Sequence, residues 1–282
     1  MRILITGGRG QLGRELVRAL AGHELFPVGR AEMDIEDPAV IPAIVDTRCE
    51  LIIHTAALTD VDGCELDPER AHRVNVTGTG HVAVAARRLG ARLVYISTDY
   101  VFDGAKPEPY TEEDEPHPIN EYGRSKLEGE RTAQDHVPAA LIVRTAWVYG
   151  LGTKNFVTQI LRLARANQTL RVVDDQTGSP TWARNLAEVI RDLVKLGAAG
   201  IVHAAGKGAC SRFELVQAIV ALAALDTEVL PTSTASFPRP ARRPVATPLA
   251  QRRLALLGLS TPPWAESLRA YWKTIDGPPP PA

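Results

Sequence analysis

The sequence predicts an α/β fold, a doubly wound parallel sheet with a smaller C-terminal lobe. Three observations carry that prediction. Short β-rich runs alternate with helical stretches through the first half of the chain, as parallel strands joined by crossover helices require. Strands such as Leu51-Ile52-Ile53 and Leu93-Val94-Tyr95-Ile96 are apolar at successive residues, which suits a sheet covered on both faces. A glycine-rich segment, Gly7-Gly8-Arg9-Gly10-Gln11-Leu12-Gly13, lies between the first strand and the first helix.

Taken in order, the strands are expected at Arg2–Thr6, Glu24–Val28, 51–55, Arg92–Thr98 and 140–145, with one further strand at 201–205. Helical patterns fill 11–21, 38–46, 68–89 and 121–135. Beyond Trp147 the alternation loosens and proline becomes more frequent. There 155–165, 182–196 and 212–224 read as amphipathic helices, 236–248 as an extended loop rich in proline and arginine, and 278–281 as a disordered end. The expected division is 1–147 as the main sheet domain and 148–282 as a lobe over the carboxyl ends of the strands, some of its segments returning to the first domain. The cleft between them is the expected active site.

With 282 residues, 45% of them hydrophobic, the chain can bury a full core. A net charge of -1 gives no electrostatic case for nucleic acid or an anionic membrane as partner. No apolar run is long enough for export or membrane spanning. Cys49, Cys64 and Cys210 are far apart and match no metal or redox spacing, so a reducing cytoplasm is the expected location.

The glycine segment follows a strand and opens a helix, the Rossmann-type setting in which backbone N–H groups cradle a dinucleotide's diphosphate. Its spacing, Gly7-x-x-Gly10-x-x-Gly13, departs from the Gly-x-Gly-x-x-Gly fingerprint, and a plain connecting turn is the alternative. Arg30 closes the second strand, where an acidic residue would bind the ribose 2′-hydroxyl of NAD; a cation there favours the 2′-phosphate of NADP. The alternative is a solvated arginine beside Glu32 and Asp34. Asp34 and Ile35 are placed to flank the adenine, and Ala56-Ala57-Leu58 are small enough to let backbone approach the cofactor.

Tyr122 and Lys126 lie one helical turn apart, on one face. The ammonium can lower the phenol's pKa and make it a proton donor near neutral pH. Thr98, at the end of the fourth strand, can hydrogen-bond a substrate carbonyl and share that task. Alone, a threonine there is a cap and a Tyr/Lys pair is a surface pair; together with the glycine loop they point to carbonyl reduction by a nicotinamide cofactor. His54, His72, His81 and His203 show no metal-ligand spacing, and Cys64 beside Asp62 and Glu65 sits in the wrong environment for an activated thiolate.

These motifs resemble the extended short-chain dehydrogenase/reductases, and within them the dTDP-4-dehydrorhamnose reductase family. The resemblance runs nearly end to end. It rests on Gly10-Gln11-Leu12-Gly13, Leu58-Thr59-Asp60-Val61-Asp62, Ser97-Thr98-Asp99-Tyr100-Val101-Phe102-Asp103-Gly104 and Tyr122-Gly123-Arg124-Ser125-Lys126. It continues through Arg144-Thr145-Ala146-Trp147-Val148-Tyr149-Gly150, Asp175-Gln176-Thr177-Gly178-Ser179-Pro180-Thr181 and Arg242-Arg243-Pro244. The resemblance implies reduction of the C4 ketone of a dTDP-linked 4-keto-6-deoxy sugar by NADPH, with NADH also accepted, in a monomer or homodimer. It makes Tyr122 the proton donor, Lys126 its tuner and a ligand of the nicotinamide ribose, and Thr98 the partner of the ketone. It assigns Gln11, Leu12, Asp34, Ile35, Ala56, Ala57 and Leu58 to the cofactor, beside Gly7, Gly10 and Arg30 from the loop and strand-end reading above. Thr59, Val61, Asp99 and Trp147 fall to the sugar, and the arginines around Arg242 lie near the diphosphate. Some members of the family bind Mg2+ at a dimer contact through glutamates. Glu15 occupies one such position and Glu188 matches another, but with no third placed no metal site is assigned.

Two other readings stand beside this one. A nucleotide-sugar dehydratase, epimerase or different 4-ketoreductase shares the fold. The dehydratases it would have to resemble carry Asp-Glu after the threonine, whereas Asp99 here is followed by Tyr100. The other is a non-catalytic cofactor-binding subunit resembling the regulatory β subunit of methionine adenosyltransferase.

Overall fold

The computed structural model describes residues 1–151 and 155–275; the proline-rich end at 278–281 lies outside them. Strand β1 (Arg2–Thr6) leads to α1 (Gln11–Ala19), β2 (Glu24–Val28) to α2 (Val40–Asp46), and β3 (Leu51–His54) to two short helices, α3 (Val61–Leu66) and α4 (Pro68–His72). A π-helical turn at Arg73–Thr77 runs into α5 (Gly78–Leu89), followed by β4 (Arg92–Thr98), α6 (Glu121–His136) and β5 (Leu141–Thr145). The second half carries β6 (Val148–Tyr149), α7 (Phe156–Ala166), β7 (Thr169–Val173), β8 (Thr177–Gly178), β9 (Thr181–Trp182), α8 (Ala183–Lys195) and β10 (Gly200–His203). It ends with β11 (Cys210–Ser211), α9 (Arg212–Leu222), β12 (Glu228–Thr232), α10 (Arg252–Leu256) and α11 (Trp264–Ile275).

Six strands form a parallel sheet in the order β10-β5-β4-β3-β1-β2. The chain passes from β1 outward to β2 and then crosses back to β3 on the other side of β1. The carboxyl ends of β1 and β3 therefore flank the switch point at which open α/β sheets bind ligands. Strand residues alternate between two cores. Ile3, Ile5, Leu51, Ile53, Val94, Leu141 and Val143 pack under α1 and α8. Leu4, Ile52, Leu93, Tyr95 and Ile142 pack against α2 and α5 on the opposite face. Both faces are buried, which is why these strands read as continuous apolar runs.

The second half builds its own core from α7, α9 and α11 around Val157, Leu161, Val216, Ile219, Leu268 and Tyr271. Strands β7 and β12 pair in parallel beside it, Thr169 opposite Glu228 and Val173 opposite Thr232. A smaller cluster of Val101, Phe102, Tyr110, Leu127, Ala146, Ala205 and Leu249 fills the seam between the halves. The helix expected over 68–89 is interrupted. Asp67 caps its first turn by accepting from the Arg70 N–H at 2.9 Å. The π turn then swings Asn75 inward, where its side chain bonds both the N–H and the carbonyl of Leu58. Such turns mark places where one side chain must be re-aimed. Among the described residues no helix is long and apolar enough to cross a membrane.

Candidate active site

At the switch point, Gly7 has a left-handed backbone (φ 67°), and a Cβ there would meet Thr55 Oγ1 at 2.6 Å. A Cβ on Gly13 would drive into the backbone of Gly7 and Gly8. The loop therefore lies flat against β3, and α1 starts at Gln11 with no side-chain cap. Its first N–H groups have no intrahelical partner, so this end of the helix can receive an anion. The loop borders a cleft of about 660 Å³ that also holds Thr98, Tyr122 and Lys126. A second cavity of about 310 Å³ continues it at the β2 end, lined by Asp34, Ile35 and Leu58 as well as Gly7, Arg30, Ala56 and Ala57 from the first. Arg30 is exposed there and shared between Asp34 (3.1 Å) and Glu36 (2.8 Å).

Helix α6 delivers Tyr122 and Lys126. Asn120 caps it by accepting from the Gly123 N–H at 2.8 Å, which places Tyr122 in the first turn. The Lys126 Nζ donates to the Ile96 carbonyl at 2.7 Å and lies 4.0 Å from the centre of the Tyr95 ring. Burial brings the Lys126 ammonium down to about 7. The Tyr122 phenol is not lowered. Burial raises it well above the usual phenol range, outweighing a hydrogen bond with Thr98, and nearby Asp99 adds to the rise. The phenol is thus held protonated and can donate; burial dominates, and the Lys126 ammonium faces the Ile96 carbonyl and the Tyr95 ring.

Thr98 donates to Asp99 Oδ1 at 3.1 Å and accepts from the Tyr100 N–H at 3.2 Å. The other Asp99 oxygen accepts from Thr247 at 2.5 Å. Burial pushes the Asp99 carboxyl up to about 6 against these hydrogen bonds. Asp99 therefore stands behind Thr98 rather than on a cavity wall. Beneath it, Glu130 of α6 accepts from Arg144 of β5 at 2.9 and 2.7 Å and from Ser97 of β4, a fully buried ion pair that fixes α6 against the sheet.

Thr59, Trp147 and Val148 line both the cleft and a third cavity of about 590 Å³ under the second lobe. Trp147 is held at φ 44°, a strained setting for a bulky residue, with its indole resting on Gly178. The Arg212 guanidinium stacks on it at 3.4 Å and faces the Phe156 ring at 4.8 Å. Arg171, Arg212, Arg239 and Arg243 line this cavity with no acidic residue among them, beside an apolar wall of Phe156, Val157, Ile160, Val172 and Phe237. The cavity suits an anion joined to a flat apolar group.

A family model described as RmlD substrate binding domain matches residues 1–276. A dTDP-4-dehydrorhamnose reductase of Mycobacterium tuberculosis is 44% identical over 268 residues, which is 92% of this chain and 88% of that protein. The chain belongs to the dTDP-4-dehydrorhamnose reductase family. A solved member from Clostridium acetobutylicum superposes with a TM-score of 0.95 at 40% identity, covering 98% of this chain and 99% of that one. Another from Bacillus anthracis, solved in complex with NADP, gives 0.94 at 38% identity, covering 97% and 99%.

Set against this family, the residues expected for the cofactor all border the two joined cavities, and Thr59, Val61 and Trp147 border the third. Arg242 does not. Its side chain is exposed, and its carbonyl accepts from Asn120 Nδ2 at 2.8 Å, while Arg239 and Arg243 on either side reach the cavity. Sequence reasoning also passed over Thr145 and Arg212. Thr145 sits at a strand end, the one signal that could have found it; Arg212 opens a helix in the far lobe and gives none. The buried Glu15 carboxylate is taken by Arg18 (2.8 Å) and Arg184 (3.4 Å), and no group of three candidate ligands occurs among the described residues.

Proposed function

We propose that this chain reduces the C4 ketone of dTDP-4-dehydro-L-rhamnose to dTDP-L-rhamnose in a reducing cytoplasm, preferring NADPH and accepting NADH. The observation that carries this reading is the run of three joined cavities, with Tyr122 and Thr98 in the central cleft beside the Trp147 junction with the third. Residues 1–147 mainly hold the cofactor, and 148–282 mainly hold the nucleotide sugar. Two buried acceptors on the cleft wall, Gln11 Oε1 and Thr145 Oγ1, have no hydrogen-bond partner among the described residues, as fits a site built for a ligand with donors.

A bound nicotinamide cofactor supplies the hydride. Gln11 and Leu12 at the start of α1 hold its diphosphate, Asp34 and Ile35 flank its adenine, and Lys126 takes its nicotinamide ribose. Tyr122 gives its proton to the ketone oxygen, and Thr98 turns its hydroxyl proton from Asp99 toward the same oxygen as negative charge develops there. Thr59, Val61 and Trp147 close over the sugar. Arg239, Arg243 and Arg212 take the diphosphate, so binding energy far from the ketone orients it and the free sugar is a very poor substrate.

Product analysis with one equivalent of NADPH and the dTDP-linked ketosugar tests the reading. dTDP-L-rhamnose in proportion to NADPH consumed is the expected result. An epimerised product without net NADPH oxidation, or no reaction, overturns it.

A further inference from the structure

The arginine loop 239–243 is fastened by one carboxylate that no step above uses. Asp62, in the first turn of α3, meets Arg239 through Oδ2 and Arg243 through Oδ1, each at 3.0 Å. The same Oδ1 accepts from the Ala241 N–H at 3.2 Å, and Arg243 donates to the Ala241 carbonyl at 2.9 Å. Both guanidiniums line the third cavity, whereas Asp62 stands behind them. Asp62 and Arg243 are 18% and 13% exposed, so that contact is not a solvated surface pair of negligible strength, whereas Arg239 is 63% exposed and forms the outer arm of the bridge. Left free, two guanidiniums four residues apart would repel and sample many rotamers. Bridged by one carboxylate, they are fixed side by side, and each keeps further N–H groups for a ligand.

The same short helix reaches the catalytic helix. Glu65 accepts from the Glu121 N–H at 2.9 Å, next to Tyr122, and Asn120 ties the α6 cap back to the Arg242 carbonyl. Loop, α3 and the start of α6 thus form one closed circuit of polar contacts.

We propose that Asp62 is a positioning residue for the anionic half of the substrate, holding Arg239 and Arg243 as a preorganised pair on the cavity wall to receive a diphosphate. The proposal rests on reading this cavity as a nucleotide-sugar site. Preorganisation raises affinity by removing the ordering cost at the moment of binding.

The test is calorimetric binding of thymidine diphosphate to the full chain. Asp62→Ala and the isosteric Asp62→Asn are each expected to weaken it about tenfold or more, and Asp62→Glu to restore most of the loss. NADPH affinity and melting temperature stay at the wild-type value in Asp62→Asn, which damage to the fold would not allow. In an Arg239→Gln, Arg243→Gln background, Asp62→Asn has no further effect. Wild-type affinity for thymidine diphosphate in both Asp62→Ala and Asp62→Asn, or a further loss in the arginine-free background, overturns the proposal. A wild-type chain that binds NADPH but not thymidine diphosphate overturns the nucleotide-sugar reading itself.

Discussion

Tyr122 and Lys126 share one face of α6, and burial sets the state of both. Their helical spacing was legible in the sequence; the contacts of the ammonium, Ile96 and Tyr95, were not, because they come from a strand thirty residues earlier. Tyr122→Phe is expected to bind NADPH normally and to lose turnover by roughly a hundred- to ten-thousandfold, the range for a missing general acid; steady-state kcat checks it. Arg30 is a similar case. Its position at the end of β2 could be read directly, but its pairing with Asp34 and Glu36 could not. A 2′-phosphate must compete with those two carboxylates, so the preference for NADPH is expected to be modest, and Arg30→Asp to reverse it in titrations with both cofactors. Asp99 is governed by Thr247, which lies in the far lobe. Thr247→Val removes a donor that favours the ionised carboxylate, so the Asp99 pKa, about 6 in the native chain, is expected to rise by about one unit, read by NMR of labelled aspartate.

At the scale of elements, the central strands of the main sheet, β1, β3, β4 and β5, could be read because both their faces are buried and each carries an apolar run. Strands β7 and β12 are half-exposed, short and separated by the whole of α8 and α9, so nothing local announces their pairing. The break in 68–89 was equally silent, since the π turn exists to aim Asn75 at Leu58 across the sheet end. What positions α6 is also tertiary: the Glu130–Arg144 pair, with Ser97 as third member. Removing one partner of a buried ion pair leaves the other charge uncompensated. Glu130→Gln is therefore expected to lower stability by about 3–5 kcal/mol in urea unfolding. A loss under about 1 kcal/mol would show that α6 is held by its apolar contacts alone.

For the whole molecule, two buried histidines tie function's scaffold to pH. His54 sits in the main sheet, its Nδ1 2.6 Å from the Thr6 hydroxyl and its Nε2 3.1 Å from that of Thr79. Thr79 gives its own proton to the Asn75 carbonyl, so the neutral Nε2–H tautomer satisfies the set. His203 lies at the seam, its Nδ1 facing the Tyr110 and Ala250 carbonyls. Burial holds both at about 3, against 6.5 for a free histidine, with Lys126 adding to the effect on His54 and Arg144 to that on His203. Between those values the unfolded chain takes up protons that the native chain refuses. The histidines' share of the stability is therefore intact above pH 6.5 and falls as pH drops, by about 1.4 kcal/mol per unit for each histidine. Asp99 acts in the opposite sense. Raised to about 6 from 3.8, it binds a proton in the native state first, and from pH 6 down to 3.8 it offsets one of the two histidines. Lys126, brought down to about 7 from 10.5, costs stability between those two values and is charged in both states below them, so it leaves the shape of the curve under pH 6.5 to the histidines and Asp99. The expected curve is a steep loss just below pH 6.5 that slackens below 6. Urea unfolding at half-unit intervals from pH 7.5 to 4.5 measures it. With Thr247→Val, which moves the Asp99 titration upward, the slackening should begin at higher pH; a break that stays at pH 6 would show that some other carboxyl provides the offset.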